Sequence, residues 1–164
     1  MTDECLHRPN DVMHLAQLNI GRLRYPKDDP RLAGWRDNVS RIFALAERSA
    51  GFVWRMSGDA GMYTGARMYG DDRIVSNMSV WASVEAFRDF TYRTVHARFV
   101  DRRADWFDRI EGHHAMWWIP EGTIPDLLEG RDRIEHLRAH GPTPHAFDFN
   151  RAFPPSAGTA IGEM

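Results

Sequence analysis

The chemistry open to this chain of 164 residues starts with its eight histidines, because imidazole is the side chain that changes charge near neutral pH. Counted along a helix at about 100° per residue, Tyr92, His96, Phe99 and Arg103 fall within about 60° of one another, away from Phe87, Phe90 and Thr94. Such a face sets the His96 imidazole between aromatic walls and beside a cation. Burial there lowers its pKa, and the neutral ring can act as base, hydrogen-bond donor or haem ligand. His96, Tyr92 and Arg103 are therefore the expected catalytic residues, the alternative being a histidine satisfied inside a packed core. His136 and His140 stand four apart on a predicted helix, but the third ligand and the glutamate of the zinc-helix motif are missing. A helix C-terminus favours imidazolium there instead, and no metal is expected. His113 and His114 are adjacent in a predicted strand, so at most one of them faces a pocket.

A second set is polar. Gln17 and Asn19 alternate along one predicted strand, Asn77 and Ser79 along another that neighbours it in a ferredoxin-like order, and the four form one patch on an otherwise apolar sheet. Such a patch suits the floor of a small-molecule cavity, or else a hydrogen-bonded dimer seam. Phe99, Trp81, Trp106, Trp117 and Trp118 are the expected ligand-binding walls. Arg55, and Asp105 beside Arg102 and Arg103, read as surface ion pairs. No Gly-x-Gly-x-x-Gly, Walker loop, Gly-x-Ser-x-Gly or Cys-x-x-Cys occurs, which removes support for dinucleotide, nucleoside triphosphate, hydrolase-elbow and zinc-ribbon readings.

These residues need elements to hold them. Alternation predicts a strand from Val12 to Leu23, and Trp35, Val39, Ile42, Phe43, Leu45 and Ala46 follow at helical spacing up to Gly51. A short strand covers Phe52 to Ser57, a loose glycine-rich loop runs from Gly58 to Gly70, and a third strand runs from Arg73 to Trp81. Ser83 caps a helical region that Gly112 ends. A fourth strand, His113 to Ile119, is stopped by Pro120. Ile124, Leu127, Leu128, Ile134 and Leu137 predict a last helix closed by Gly141 and Pro142. The order strand, helix, strand, strand, helix, strand, helix contains the split βαβ repeat of an α+β, ferredoxin-like antiparallel sheet. With helices on one side only, Trp54, Trp81, Trp117 and Trp118 are too apolar to leave wet, which predicts a homodimer packed sheet on sheet as a dimeric α/β barrel.

Composition bounds the rest. With 43% hydrophobic and 27% charged residues the chain is globular, and its length suits one domain that buries roughly 70% of its unfolded surface. We place that domain at residues 12–153, between an arm, 1–11, and a tail, 154–164. A formal charge of -2 gives no footprint for nucleic acid. No apolar run approaches the about 20 residues needed to cross a bilayer, and no signal peptide is evident, so no membrane partner is expected. The lone Cys5 offers no disulfide or redox pair, which suits a cytoplasmic location.

One ordered series of residues is more specific than any of these: Phe90-Thr-Tyr92, His96, Arg103, Trp106-Phe107, Trp117-Trp118, Pro120-Glu-Gly122, Pro125, Arg133 and Gly141-Pro-Thr-Pro-His-Ala-Phe147. It resembles the domain of unknown function 3291 family, from about His14 to Phe153, with the Gly58 to Gly70 loop as an elaboration. The resemblance implies a dimeric α/β barrel, a superfamily that includes antibiotic-biosynthesis monooxygenases, haem-degrading enzymes and stress-response barrels. A fold hosts many chemistries, so the activity stays an expectation. The expected function is a small-molecule enzyme, a cofactor-independent monooxygenase or a related isomerase or cyclase acting on an aromatic or polyketide-like substrate near His96. The alternatives are a haem enzyme or carrier using His96 or a strand-four histidine as axial ligand, and a noncatalytic ligand-binding or stress protein.

Overall fold

Side chains alternate across a strand, so the sheet's two faces are set by parity along its central strand, β1 (Met13–Arg22). The computed structural model describes residues 12–57, 65–94, 98, 101–110 and 113–156. His96, Phe99, the arm 1–11 and residues 157–164 lie outside them. β1 pairs antiparallel with β3 (Ile74–Trp81) on one side and β4 (His114–Pro120) on the other, and β2 (Phe52–Arg55) pairs with β3. The order β2-β3-β1-β4 joined by helical crossovers is the ferredoxin-like α+β fold.

The helices form where stripe and cap agree. In α1 (Ala33–Glu47) the buried residues Trp35, Val39, Ile42 and Ala46 recur every three or four positions. α3 (Val84–Arg93) starts at Ser83, whose hydroxyl accepts from the Ala86 amide at 3.1 Å. α5 (Leu127–His140) starts at Asp126, which accepts from the Leu128 and Glu129 amides, and ends at Gly141, where φ is +71°. Among the described residues no helix is long and apolar enough to cross a membrane.

Four sequence expectations change. Of the expected Gly58 to Gly70 loop, residues 58–64 lie outside the described residues and the rest begins with a short helix, α2 (Gly65–Tyr69), which lies close against β3 because Gly65 has no Cβ to meet the Ile74 carbonyl oxygen. The helix opened by Ser83 does not run on. It stops at Arg93, with Thr94 extended and its hydroxyl bonded back to the Phe90 carbonyl, and Arg103 belongs to a separate short helix, α4 (Arg103–Trp106). Arg103 therefore does not share one continuous helical face with Tyr92. Ile124 precedes the last helix and is exposed.

The fourth change concerns the open sheet face that called for a partner. The Ala16, Leu18, Ile20 face, which also carries Met78, Val80, Ala115 and Trp117, is covered by Leu127, Ile134 and Leu137 of α5 and by Met68 of α2. The opposite face, with Leu15, Trp81 and Met116, is covered by Ile42 and Ala46 of α1 and by Phe87 and Phe90 of α3. Trp81 and Trp117 are both 0% exposed within one chain, so neither needs a second copy. The sheet edge at β4 is covered too: Met116 and Phe147 exchange both backbone hydrogen bonds, at 2.8 and 3.0 Å.

α5 lies close to the sheet at Gly130, where a Cβ would come 2.8 Å from Leu18 Cδ2 and 3.3 Å from Trp117 Cη2. Gly130→Val should therefore lower stability by about 1–3 kcal/mol through overpacking, read as a fall in urea midpoint. Trp117→Ala should lower it by about 3–5 kcal/mol. That loss should not depend on protein concentration, because the chain buries Trp117 itself; a concentration-dependent loss would put the tryptophan at an interface.

Candidate functional site

The register of three strands builds the floor of a cavity. Asn19 stands opposite Asn77 on β3 and opposite His114 on β4; one row on, Gln17 stands opposite Ser79 and Met116. Equal parity puts both rows on the face that α1 and α3 cover. Between sheet and helices lies a cavity of about 150 Å³. Gln17, Asn19, Asn77, Ser79, Trp81 and His114 form its floor. Its walls come from Ile42, Phe43 and Ala46 of α1, from Phe87, Phe90, Thr91 and Tyr92 of α3, and from Arg55, Arg103, His113 and Phe149.

Part of the floor is internally bonded. Gln17 Nε2 donates to Ser79 Oγ at 2.7 Å and to Asn77 Oδ1 at 3.2 Å, and Trp81 Nε1 donates to Ser79 Oγ at 2.9 Å. Other polar atoms have no partner: Gln17 Oε1, Asn19 Oδ1 and His114 Nε2 are buried without a hydrogen bond, as is Trp117 Nε1 on the far side of the sheet. A buried polar atom left unpaired costs about 1–3 kcal/mol, so three of them among the lining of one cavity mark a place where stability has been given up.

Charge is arranged around this floor. Arg55 is compensated, its Nε donating to Glu47 Oε1 at 2.7 Å while its guanidinium lies 4.5 Å from the Phe43 ring centroid. Arg103 is not. It lies over Phe107 at 4.9 Å and donates from Nη2 to the Ile20 carbonyl at 3.1 Å, and among the described residues no carboxylate pairs with it. Burial pulls its pKa below the usual arginine value. Gly21 gives Arg103 its seat, since a Cβ there would come 2.7 Å from the Phe107 ring and 3.3 Å from Arg103 Nη2.

Both histidines of the adjacent pair line the cavity, which corrects the expectation of at most one. His113 precedes β4 and so escapes strand alternation. Its Nδ1 lies 3.1 Å from the Ile110 carbonyl; a carbonyl only accepts, so Nδ1 carries the hydrogen and Nε2 keeps its lone pair. Burial, then the Arg103 charge, lowers the His113 pKa. His114 stacks on Phe149 at 5.5 Å, and burial, then His113, pulls its pKa down to about 4. Both rings are neutral at pH 7.

Of the residues singled out in the sequence, Gln17, Asn19, Asn77, Ser79, Trp81, Tyr92 and Arg103 line this cavity, whereas Trp106, Trp117 and Trp118 do not. Trp106 packs with Trp35 and Phe107, Trp117 faces α5, and Trp118 Nε1 donates to the Phe153 carbonyl at 2.8 Å. His96 and Phe99 lie outside the described residues. In the sequence Arg55 reads as a surface ion pair and His113 with His114 as a strand pair of which at most one faces a pocket, while Phe149 is not singled out as a site residue; only the polar pair Asn19 and Asn77 in neighbouring strands hinted that the next strand would bring a polar residue alongside. Haem does not fit here. Among the described residues the His114 ring packs against both Phe149 and Phe87 and its Nε2 is buried, which leaves the ring closed to a porphyrin iron. Among the described residues no group of three or more His, Cys, Asp or Glu side chains is arranged for a metal: His136 bonds Thr143 and His145 bonds Arg133.

Solved structures similar to the chain include the protein of unknown function NE2512 of Nitrosomonas europaea, at 9% identity and a TM-score of 0.44, covering 71% of this chain and 97% of that one. The cofactor-independent oxygenase SnoaB of Streptomyces nogalater matches at 16% identity and a TM-score of 0.44, over 69% of this chain and 98% of its own. A conserved protein of Methanosarcina mazei matches at 6% identity and 0.48, over 67% and 94%. No curated protein matches the chain. The family model described as "Domain of unknown function (DUF3291)" matches residues 14–162, and the chain belongs to that family.

Proposed function

We propose that the protein is a small-molecule enzyme that takes a proton from an aromatic or polyketide-like substrate and stabilises the anion formed, as a cofactor-independent monooxygenase, an isomerase or a cyclase does. One observation carries the reading: a single cavity holds an imidazole with a free lone pair, His113, and an arginine, Arg103, that has no carboxylate partner among the described residues. The three reaction types share a first step. A C–H or O–H conjugated with a carbonyl gives its proton to the imidazole while the electron pair moves onto oxygen, where a desolvated guanidinium is worth more than in water. An isomerase returns the proton to another carbon, and a cyclase uses the carbanion as nucleophile. A monooxygenase passes electrons to dioxygen, turning CH₂ and O₂ into C=O and one water.

His113 is the first candidate base, because its tautomer leaves Nε2 unprotonated at neutral pH. His96 is the second, on the strength of the sequence reading. Gln17, Asn19, Asn77 and Ser79 would orient the substrate beside the packed rings of Trp81, Phe87 and Phe90. Homodimerisation belongs to the same proposal through the family resemblance; sedimentation at dilute concentration reads it directly.

Solvent-deuterium exchange into the activated methylene of an aryl ketone, followed by NMR, tests the base. His113→Gln should slow exchange by about 10²- to 10⁴-fold with little change in melting temperature. If His96→Gln gives that loss and His113→Gln does not, the role passes to His96. If neither variant nor Arg103→Gln alters exchange, the protein is a binding protein. A pH effect follows from His114, which titrates at about 4 when folded against 6.5 as its ordinary value. Below about 6.5 the unfolded chain takes up a proton that the folded one refuses, so stability should fall from there down to about 4. His113 and His145, also lowered, act in the same direction. Calorimetry should show a shallower fall for His114→Gln than for the wild type; equal slopes would mean that His114 titrates normally.

A further inference from the structure

We propose that the ligand of this cavity is a single-ring phenol, held as its phenolate with the charged oxygen on Arg103; this rests on the reading above in taking the cavity as the substrate site. Size limits it first. A dry apolar cavity of about 150 Å³ is known to hold benzene, so the described walls admit one ring with small substituents rather than a fused polycycle. The walls also suit a ring. Trp81 lies 5.1 Å from Phe90 with its plane tilted by 27°, and Phe87 lies 5.3 Å from Phe149, so these rings pack on one another and form a continuous aromatic wall for a ring lying beside them.

Charge then selects the ionised form. An arginine has five N–H donors, and among the described residues Arg103 spends one of them, on the Ile20 carbonyl. A half-buried cation without a counter-ion is costly, and a bound anion relieves that cost. Gly21 keeps the seat of the guanidinium clear, so Arg103 is placed before any ligand arrives. The other charged groups at the cavity do not compete for this role. Arg55 is occupied by Glu47, while Asp148 acts on His114 and is not paired with Arg103.

The floor separates a phenolate from a carboxylate. Its unbonded amide atoms, Gln17 Oε1 and Asn19 Oδ1, are acceptors. Beside these acceptors a phenolate presents one negative oxygen, which Arg103 takes, where a carboxylate presents two that the one guanidinium must hold together. The neutral imidazoles of His113 and His114 add no second positive charge that would favour a dianion.

4-Nitrophenol serves as the probe because its ionisation is read by absorbance. At a pH below its free pKa, wild-type protein should bind it in the yellow, ionised form, and should prefer it by about 10- to 100-fold over 4-nitroanisole, which cannot ionise. Arg103→Gln should abolish both the pKa lowering and the preference while 4-nitroanisole still binds, which shows that the cavity is intact. Arg103→Lys should keep part of the lowering. If Arg103→Gln does not fold, the wild-type comparison of the two probes decides alone. Bound 4-nitrophenol that stays colourless, no binding of either probe, or benzoate binding as tightly as 4-nitrophenol would overturn the proposal. Phenolate binding in a protein that catalyses no proton exchange would leave this inference standing and remove the enzyme; exchange on a ketone with no phenolate binding would do the reverse.

Discussion

The antiparallel register of β1 with β3 and β4 is the constraint from which the rest of the molecule follows. It aligns Asn77, Asn19 and His114 in one row and Ser79, Gln17 and Met116 in the next, all on one face. A slip of one residue would turn Gln17 and Asn19 under α5 and bring Leu18 and Ile20 to the cavity. Because both faces of the sheet are buried, such a slip is penalised twice, by amides in an apolar layer and by lost packing. A sheet with one wet face would feel one of these penalties.

Burial of both faces depends on how the chain continues after β4. α5 returns across the sheet and can lie close to it because Gly130 leaves room for Leu18 and Trp117. The segment after α5 then runs along β4, where Phe147 takes the free backbone groups of Met116, Trp118 bonds the Phe153 carbonyl, and Phe149 closes over His114. Cover for an edge strand and a wall for the cavity thus come from one stretch of chain. Of the tryptophans that a half-covered sheet would have left for a partner, Trp81 and Trp117 are core residues of a single chain, and Trp54 and Trp118 are partly buried against that core.

The cavity concentrates what the rest of the fold avoids. Elsewhere among the described residues Trp117 Nε1 is the one further side-chain polar atom buried without a partner, and charged groups such as Arg22 are paired, here with Asp71 and Asp108, each at 2.8 Å. At the cavity, among the described residues, three polar atoms are buried unbonded, two imidazoles are kept neutral, and an arginine stands without a counter-ion. Field and hydrogen-bonding capacity left unspent in one small aromatic-walled space are the physical conditions for binding and stabilising an anion.

Local properties were legible in the sequence. The period-two alternation of β1 and β3, the Ser83 cap, the Gly141 stop and the polar pairs Gln17 with Asn19 and Asn77 with Ser79 all depend on neighbours a few residues away, as did the strand and helix order that implied the fold. Properties that depend on distant contacts were not legible. Periodicity says that α5 has an apolar stripe but not which sheet face that stripe covers, so the open face assumed for the tryptophans was filled by the chain's own last helix. His113 and His114 read as an alternating strand pair because nothing local shows that β4 begins one residue later. Arg103 was placed on one long helix with Tyr92, yet it reaches the cavity from a separate turn, over a glycine more than 80 positions away. Sequence alone determined the elements and the polar floor; tertiary structure decided which charges meet over that floor, because burial and counter-ion geometry belong to groups that only folding brings together.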